Sequence, residues 1–350
     1  MNIQELIDLS KWIKREIIDR QLPQKYGALL SVLQTNSQPN QPKQSFEAQK
    51  DELIDTLLTI NTDNLTKEQL QFLEKIDLLP FIGKSGVSAV EDILYKNAID
   101  TATAAQKIQE IIQKINAAIA KLNQIETGLS DCVDSSEVDL HGQILMRVTF
   151  KGNAQLENLT DFKKWGDTWY DIGRGIAMAH NSSPEDIKII GASKGSIILE
   201  LAVAQLIATT VATIILSALK VAEKVLDIRK KAEEIRGLKL ANEKISQELE
   251  KSADDEKKIG IEGIKKQMIE QLNIRENGEG DKVKALDVSI RDLVTFIEKG
   301  GDIDMVIPED KGQEDAIGNQ SLRMAFSEIR LLEKKINLLQ FQIKDDGLES

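Results

Sequence analysis

The stretch IIGASKGSIILELAVAQLIATTVATIILSALK, residues 189–220, decides the fold because it supports two incompatible structures. A glycine loop after a β-like run suggests a phosphate cradle. The apolar run that follows suggests a membrane span. A nucleotide-binding P-loop needs Lys followed by Ser or Thr at a helix start, where the lysine reaches the terminal phosphates and the hydroxyl holds magnesium. Here Gly191, Lys194, Gly195 and Ser196 come in another order and spacing, and no third glycine completes a dinucleotide fingerprint. The spacing instead predicts a β-hairpin, IKIIGAS and SIILELAV joined by a turn at Lys194–Gly195, whose second strand runs straight into a helix. An anion at the 191–196 turn is the one ligand that this loop leaves open.

From Val203 to Leu219 no residue is charged, a run of seventeen residues at the lower edge of what crosses a bilayer. Gln205, Thr209, Thr213 and Ser217 fall four apart, and Lys220 and Lys224 continue the stripe. A weakly polar stripe suits a helix buried in a soluble core, with Leu206, Ile207, Val211, Ile214, Ile215 and Leu219 covering the sheet. The same six residues would form the inserting segment if the helix were a membrane element. In that setting the small hydroxyl residues would be a helix-association face. The core reading is the expectation, and membrane insertion after a conformational change is its rival.

The rest of the chain favours the core reading. Its 350 residues suffice for a large core and several units. An aromatic content of 4% and a charged content of 29%, with Leu, Ile, Ala, Lys, Glu and Gln dominant, are typical of long helices. Apolar residues alternate spacings of three and four in Ile108, Ile112, Ile115, Ile119 and Leu122, on a helix expected from about Val87 to Leu129. Similar seams run through Val221, Val225, Ile228, Ala232 and Ile235, and through Leu322, Phe326, Ile329, Leu332, Ile336, Leu339 and Ile343. Three such seams are expected to bury one another in an antiparallel bundle, or to self-associate.

Between the first two seams the period changes to two. In QILMRVTFKG, Ile144, Met146, Val148 and Phe150 form one apolar strand face. Phe162, Trp165, Trp169, Ile172 and Ile176 return to helical spacing and should pack on that sheet. Gly173 and Gly175 inside this helix mark a close backbone approach or a kink. DIDMVIP, residues 302–308, is expected as a short edge strand.

The expected fold class is therefore mainly α, long antiparallel helices in a bundle or coiled coil with a small βαββ unit inserted. Its expected parts are an N-terminal helical region (1–80), a long bundle helix (81–130), the α/β unit (140–202), and the hydrophobic helix running into a charged coiled coil (203–250). A glycine-interrupted hinge (251–281) and C-terminal helices (282–350) complete the chain.

Few residues offer chemistry. The chain has two histidines, His141 and His180, and one cysteine, Cys132. DCVDSSEVDLHG brings Cys132 and His141 near Asp131, Asp134, Glu137 and Asp139 in sequence, but a dyad needs a third group to orient it. The segment lacks the glycine turn and terminal glutamate of a calcium loop. It reads as an acidic loop, with no catalytic residue, cofactor or metal expected. A net charge of −12 disfavours nucleic acid. A lone cysteine fits a reducing cytoplasm, and Glu5, Asp8, Lys11, Lys14, Arg15 and Glu16 interrupt any apolar run that a secretory signal would need. A peripheral or inner-membrane location goes with the membrane rival.

QILMRVTFKG, FKKWGDTWYDIGRGIA, EDIKIIGASKGSIILEL and VLDIRKKAEEIRGLKL together resemble an uncharacterised module of bacterial proteins. In it, strand, aromatic helix, strand, Gly-Ser turn, apolar strand, hydrophobic helix and charged coiled coil follow one another. The resemblance spans residues 143–240 and brings no catalytic residues. It implies a defence or signalling setting by analogy. The expected function is non-enzymatic, through helix-mediated association with a protein partner or with itself.

Overall fold

The computed structural model describes residues 3–129, 143–193, 197–237, 243–275, 278–307 and 313–346. The chain divides into two compact units, Met1–Val138 and Asp139–Ser350. The molecule is mainly α, with one small antiparallel sheet, as the periodicities predict.

Among its described residues the first unit is helical: α1 (Ile3–Ile13), α2 (Leu22–Ser37), α3 (Glu47–Thr59), α4 (Lys67–Lys75), α5 (Gly83–Lys96) and α6 (Thr101–Leu129). The seam of α6 is buried at Ile108, Ile115 and Leu122, in one cluster with Leu9, Ile13, Leu29 and Leu33 of α1 and α2. Two expectations are corrected here. The single helix over Val87–Leu129 is broken between α5 and α6, because the Asp100 carboxylate accepts the Thr103 N–H at 3.0 Å and the Thr103 hydroxyl at 2.6 Å, an N-cap that restarts the helix. Those bonds hold the Asp100 carboxyl below its ordinary pKa. The α6 seam, expected against the two later seams, packs on α1 and α2 within its own unit.

The second unit holds β1 (Ile144–Phe150), α7 (Leu159–Ala179), β2 (Lys188–Ser193), β3 (Ile197–Val203), α8 (Gln205–Gly237), α9 (Glu243–Gln271), α10 (Gly280–Glu298), β4 (Asp302–Val306) and α11 (Gln313–Asp346). The strands lie in the order β2-β3-β1-β4 and every pairing is antiparallel. The βαββ order is present, and 302–306 is the expected edge strand beside β1. Ile144, Met146, Val148 and Phe150 are all buried, in one cluster with Trp165, Trp169, Ile172 and Ile176 of α7. Phe296 of α10 completes that core, its ring centroid 5.4 Å from Phe150, 5.3 Å from Trp165 and 5.1 Å from Trp169, each edge to face. Phe162, expected in the same stripe, is exposed.

The stretch predicted as a hinge, 251–281, belongs largely to the continuous helix α9. Ala253, Ile261, Ile264 and Met268 are its buried face, an apolar stripe set among many charges. Gly260 is not a breaker but a contact, since a Cβ there would lie 2.5 Å from a Val221 methyl of α8. Helices α8 and α9 run antiparallel, tied by Ser217–Gln267, Lys224–Glu256 and Arg229–Asp254. The two remaining seams do meet, but in parallel: Gln205 bonds Asn319, Lys220 pairs with Glu328, and Glu223 with Lys335, the numbers rising together.

Gly175 settles the choice between kink and close approach. A Cβ on it would lie 2.0 Å from the Ser289 hydroxyl and 2.3 Å from the Ala285 carbonyl of α10. The Ser289 hydroxyl lies 2.9 Å from the Asp171 carbonyl of α7, locking the crossing. Gly175→Ala is therefore expected to lose about 2 kcal/mol through overpacking, lowering Tm by roughly 4–8 °C. Gly166→Ala on the same helix, where a Cβ meets nothing within 4 Å, should gain up to about 1 kcal/mol from helix propensity. Thermal unfolding of the two variants checks the opposite signs.

Candidate functional site

The six residues predicted to face a core, a partner or a membrane divide unequally. Ile207, Val211, Ile214, Ile215 and Leu219 are buried in the cluster that includes the apolar sheet face. Leu206 is 67% exposed and does not cover the sheet. The helical span Gln205–Ala232 is long and apolar enough to cross a membrane, with a mean hydropathy of 1.7 in its most apolar window, half of which is buried. The polar stripe of α8 divides between its own backbone and the neighbouring helices. Thr209 and Thr213 donate to the carbonyls of Gln205 and Thr209, at 2.9 and 2.8 Å, while Gln205 and Ser217 reach α11 and α9.

The glycine loop is not a cradle in front of a helix. Residues on either side of it pair as antiparallel strands, Ser193 with Ile198 and Ala192 with Leu199, and the next helix starts only at Gln205. The turn residues Lys194, Gly195 and Ser196 lie outside the described residues, as do Cys132, His141 and their neighbouring carboxylates. Among the described residues no group of three or more His, Cys, Asp or Glu could hold a metal ion.

The other face of the sheet carries charges that the sequence did not reveal as a group. Strand register sets Arg147 of β1 opposite Glu200 of β3 and Asp304 of β4. Arg147 pairs with Glu200 at 3.0 Å, and Arg330 of α11 pairs with Asp304 at 3.0 Å. Two cations and two carboxylates compensate one another, the arrangement that buried charges need. It joins α11 to the sheet.

A groove of about 1040 Å³ opens between α8, α9, α10 and α11, with apolar walls including Leu219, Val225, Val294 and Ile336. Its charged rim is paired internally through Lys151–Asp302 at 2.8 Å, Lys257–Glu298 at 2.7 Å and Arg229–Asp254 at 3.5 Å. Near the start of α8, the imidazole Nε2 of His180, at the end of α7, lies 2.8 Å from the Thr210 hydroxyl. Desolvation there pushes the His180 pKa below its ordinary value.

The least expected feature is on α11. Its buried side is the predicted seam, Leu322, Phe326, Ile329 and Ile336. The opposite side presents Ile317, Met324, Leu331 and Leu338, which are 76%, 65%, 68% and 59% exposed. They recur every seventh residue and so form a single row, drifting only about 20° per heptad. Gln320, Ser327 and Lys334 flank the row on one side, Ser321, Glu328 and Lys335 on the other. A search of the leftover apolar residues at a period of seven, after removing the main seam, would have found it. Exposed apolar residues scattered singly carry no message, whereas a row along one helix is a surface suited to another helix.

The chain matches no protein-family model, no curated protein and no solved structure. The His180 contact gives a direct test of the α7–α8 junction. A folded pKa below the unfolded value near 6.5 means that the neutral imidazole is the form the fold favours. Its stability contribution is complete above that value and declines as the pH falls from there through the lowered folded pKa. Urea midpoints measured from pH 8 to pH 5 should fall for the native protein, with a shallower fall for His180→Gln.

Proposed function

We propose that this is a non-enzymatic protein that acts through helix-mediated association with another polypeptide, in a bacterial cytoplasm and in a defence or signalling setting. One observation carries the reading: the row Ile317, Met324, Leu331 and Leu338, displayed on the solvent side of a helix whose other side is fully engaged. Exposing four large apolar side chains in line is unfavourable in water, and covering each would contribute about 1–2 kcal/mol. The lone cysteine supports the reducing compartment. The setting rests on the resemblance of residues 143–240 alone.

A second reading keeps α8 as a membrane-inserting segment, favoured by the length and hydropathy of Gln205–Ala232. It requires Ile207, Val211, Ile214, Ile215 and Leu219 to leave the core together, which would expose the sheet face that they share a cluster with. That cost weighs against it.

A photo-crosslinking residue placed at Leu331 or Met324 in the full chain should give a covalent protein adduct in cells that make the protein. The control position is Lys258, an exposed α9 residue with a side chain 77% accessible. Adducts no stronger than that control would overturn the association reading. Flotation of the purified chain with anionic liposomes, with Leu331 adducts absent, would put the membrane reading in its place.

A further inference from the structure

The α11 row can be assigned a partner from the charges beside it, an inference that rests on the association reading. We infer that the part of the row from Met324 to Leu338 is closed by a second copy of this chain, α11 against α11, antiparallel about a two-fold axis at Leu331. A two-fold interface must be self-complementary, so the test of any arrangement is which residues face themselves.

Parallel pairing in register fails that test. It sets Lys334 and Lys335 of one copy level with Lys335 and Lys334 of the other, four cations at one height with no carboxylate between them. Antiparallel pairing opposes each flank to the same flank running the other way. With the axis at Leu331, Leu331 meets the second copy's Leu331 and Met324 meets the second copy's Leu338. Glu328 then comes level with the second copy's Lys335, and Lys335 with the second copy's Glu328, two unlike-charge contacts related by the symmetry. Sliding the register so that Met324 faces Leu331 instead stacks Glu328 on the second copy's Glu328, a like-charge contact at the centre. The charges therefore disfavour parallel pairing and this slid register.

Glu328 and Lys335 are held on the correct side beforehand. Glu328 pairs with Lys220 at 2.8 Å and Lys335 with Glu223, both from α8, and both α11 side chains keep half or more of their surface accessible. Each can therefore accept a second partner without leaving the first. Three apolar contacts along a single row, without the second apolar position of a full heptad seam, make a reversible dimer whose population depends on concentration.

Sedimentation equilibrium of the full-length protein should show a mass rising with concentration from 39.0 kDa toward roughly twice that value. Leu331→Glu should stay at the monomer mass with its Tm unchanged. Glu328→Lys and Lys335→Glu should each weaken the dimer at least several-fold, and the double variant should recover it. The intrachain contacts with Lys220 and Glu223 stay broken in the double variant, so recovery of the dimer without recovery of Tm isolates the contact between copies. In a Cys132→Ser background, Met324→Cys and Leu338→Cys should form disulfide-linked dimers on mild oxidation when mixed, and not when oxidised separately. A monomer at every concentration, self-crosslinking of Met324→Cys, or no recovery in the double variant would overturn the inference. If the Leu331 crosslinker captures a different protein from a chain that sediments as a monomer, association stands and the second copy fails. With neither adduct nor dimer, both fail.

Discussion

The structure of the second unit depends on one constraint: the apolar side of α8 has to be covered. Ile207, Val211, Ile214, Ile215 and Leu219 form an almost unbroken oily surface, and the sheet core, α9 and α11 gather around it. Removing such side chains from water is the dominant favourable term in folding, at about 25 cal/mol per Å² of apolar area. Two members of the polar stripe of α8 then find partners on the same helices, through Gln205–Asn319 and Ser217–Gln267. A helix that could pass for a membrane span by composition is thereby held by polypeptide on the sides where lipid would otherwise be required.

The same constraint explains the exact crossings of the neighbours. α9 approaches α8 closely because Gly260 leaves room for Val221, and α10 approaches α7 because Gly175 leaves room for Ser289. Phe296 can then reach between Trp165, Trp169 and Phe150 at the end of the sheet. On the far sheet face, strand register brings Glu200 to Arg147, and Arg330 of α11 pairs with Asp304 of β4.

Much of this was legible in the sequence where one side of an element dominates. The alternation of Ile144, Met146, Val148 and Phe150 located β1, and the failed P-loop order of Gly191, Lys194 and Gly195 pointed to a hairpin. What was not legible needed a partner distant in sequence. Arg147 reads as an ordinary solvent-face residue until strand pairing brings Glu200 and Asp304 beside it. Gly260 reads as a breaker until α8 is laid against α9. The α6 seam looks identical to those of α8 and α11, so periodicity alone could not say that it belongs with α1 and α2. The candidate surface on α11 is masked in the sequence by its neighbour: the strong seam through Leu322 and Phe326 dominates the helical period over the weaker row of Ile317, Met324, Leu331 and Leu338. Of the six α8 residues expected to cover the sheet, five are buried and Leu206 is exposed.

The central claim is that the apolar face of α8 is permanently core. Native-state hydrogen exchange of the amides from Ile207 to Leu219, in detergent-free solution and again with anionic liposomes, tests it most directly. The account predicts that these amides exchange only through global unfolding of their unit, with the slowest rates in the chain, and that liposomes leave the rates unchanged. Exchange through a low-energy local opening of α8, or protection that shifts when liposomes are added, would contradict it.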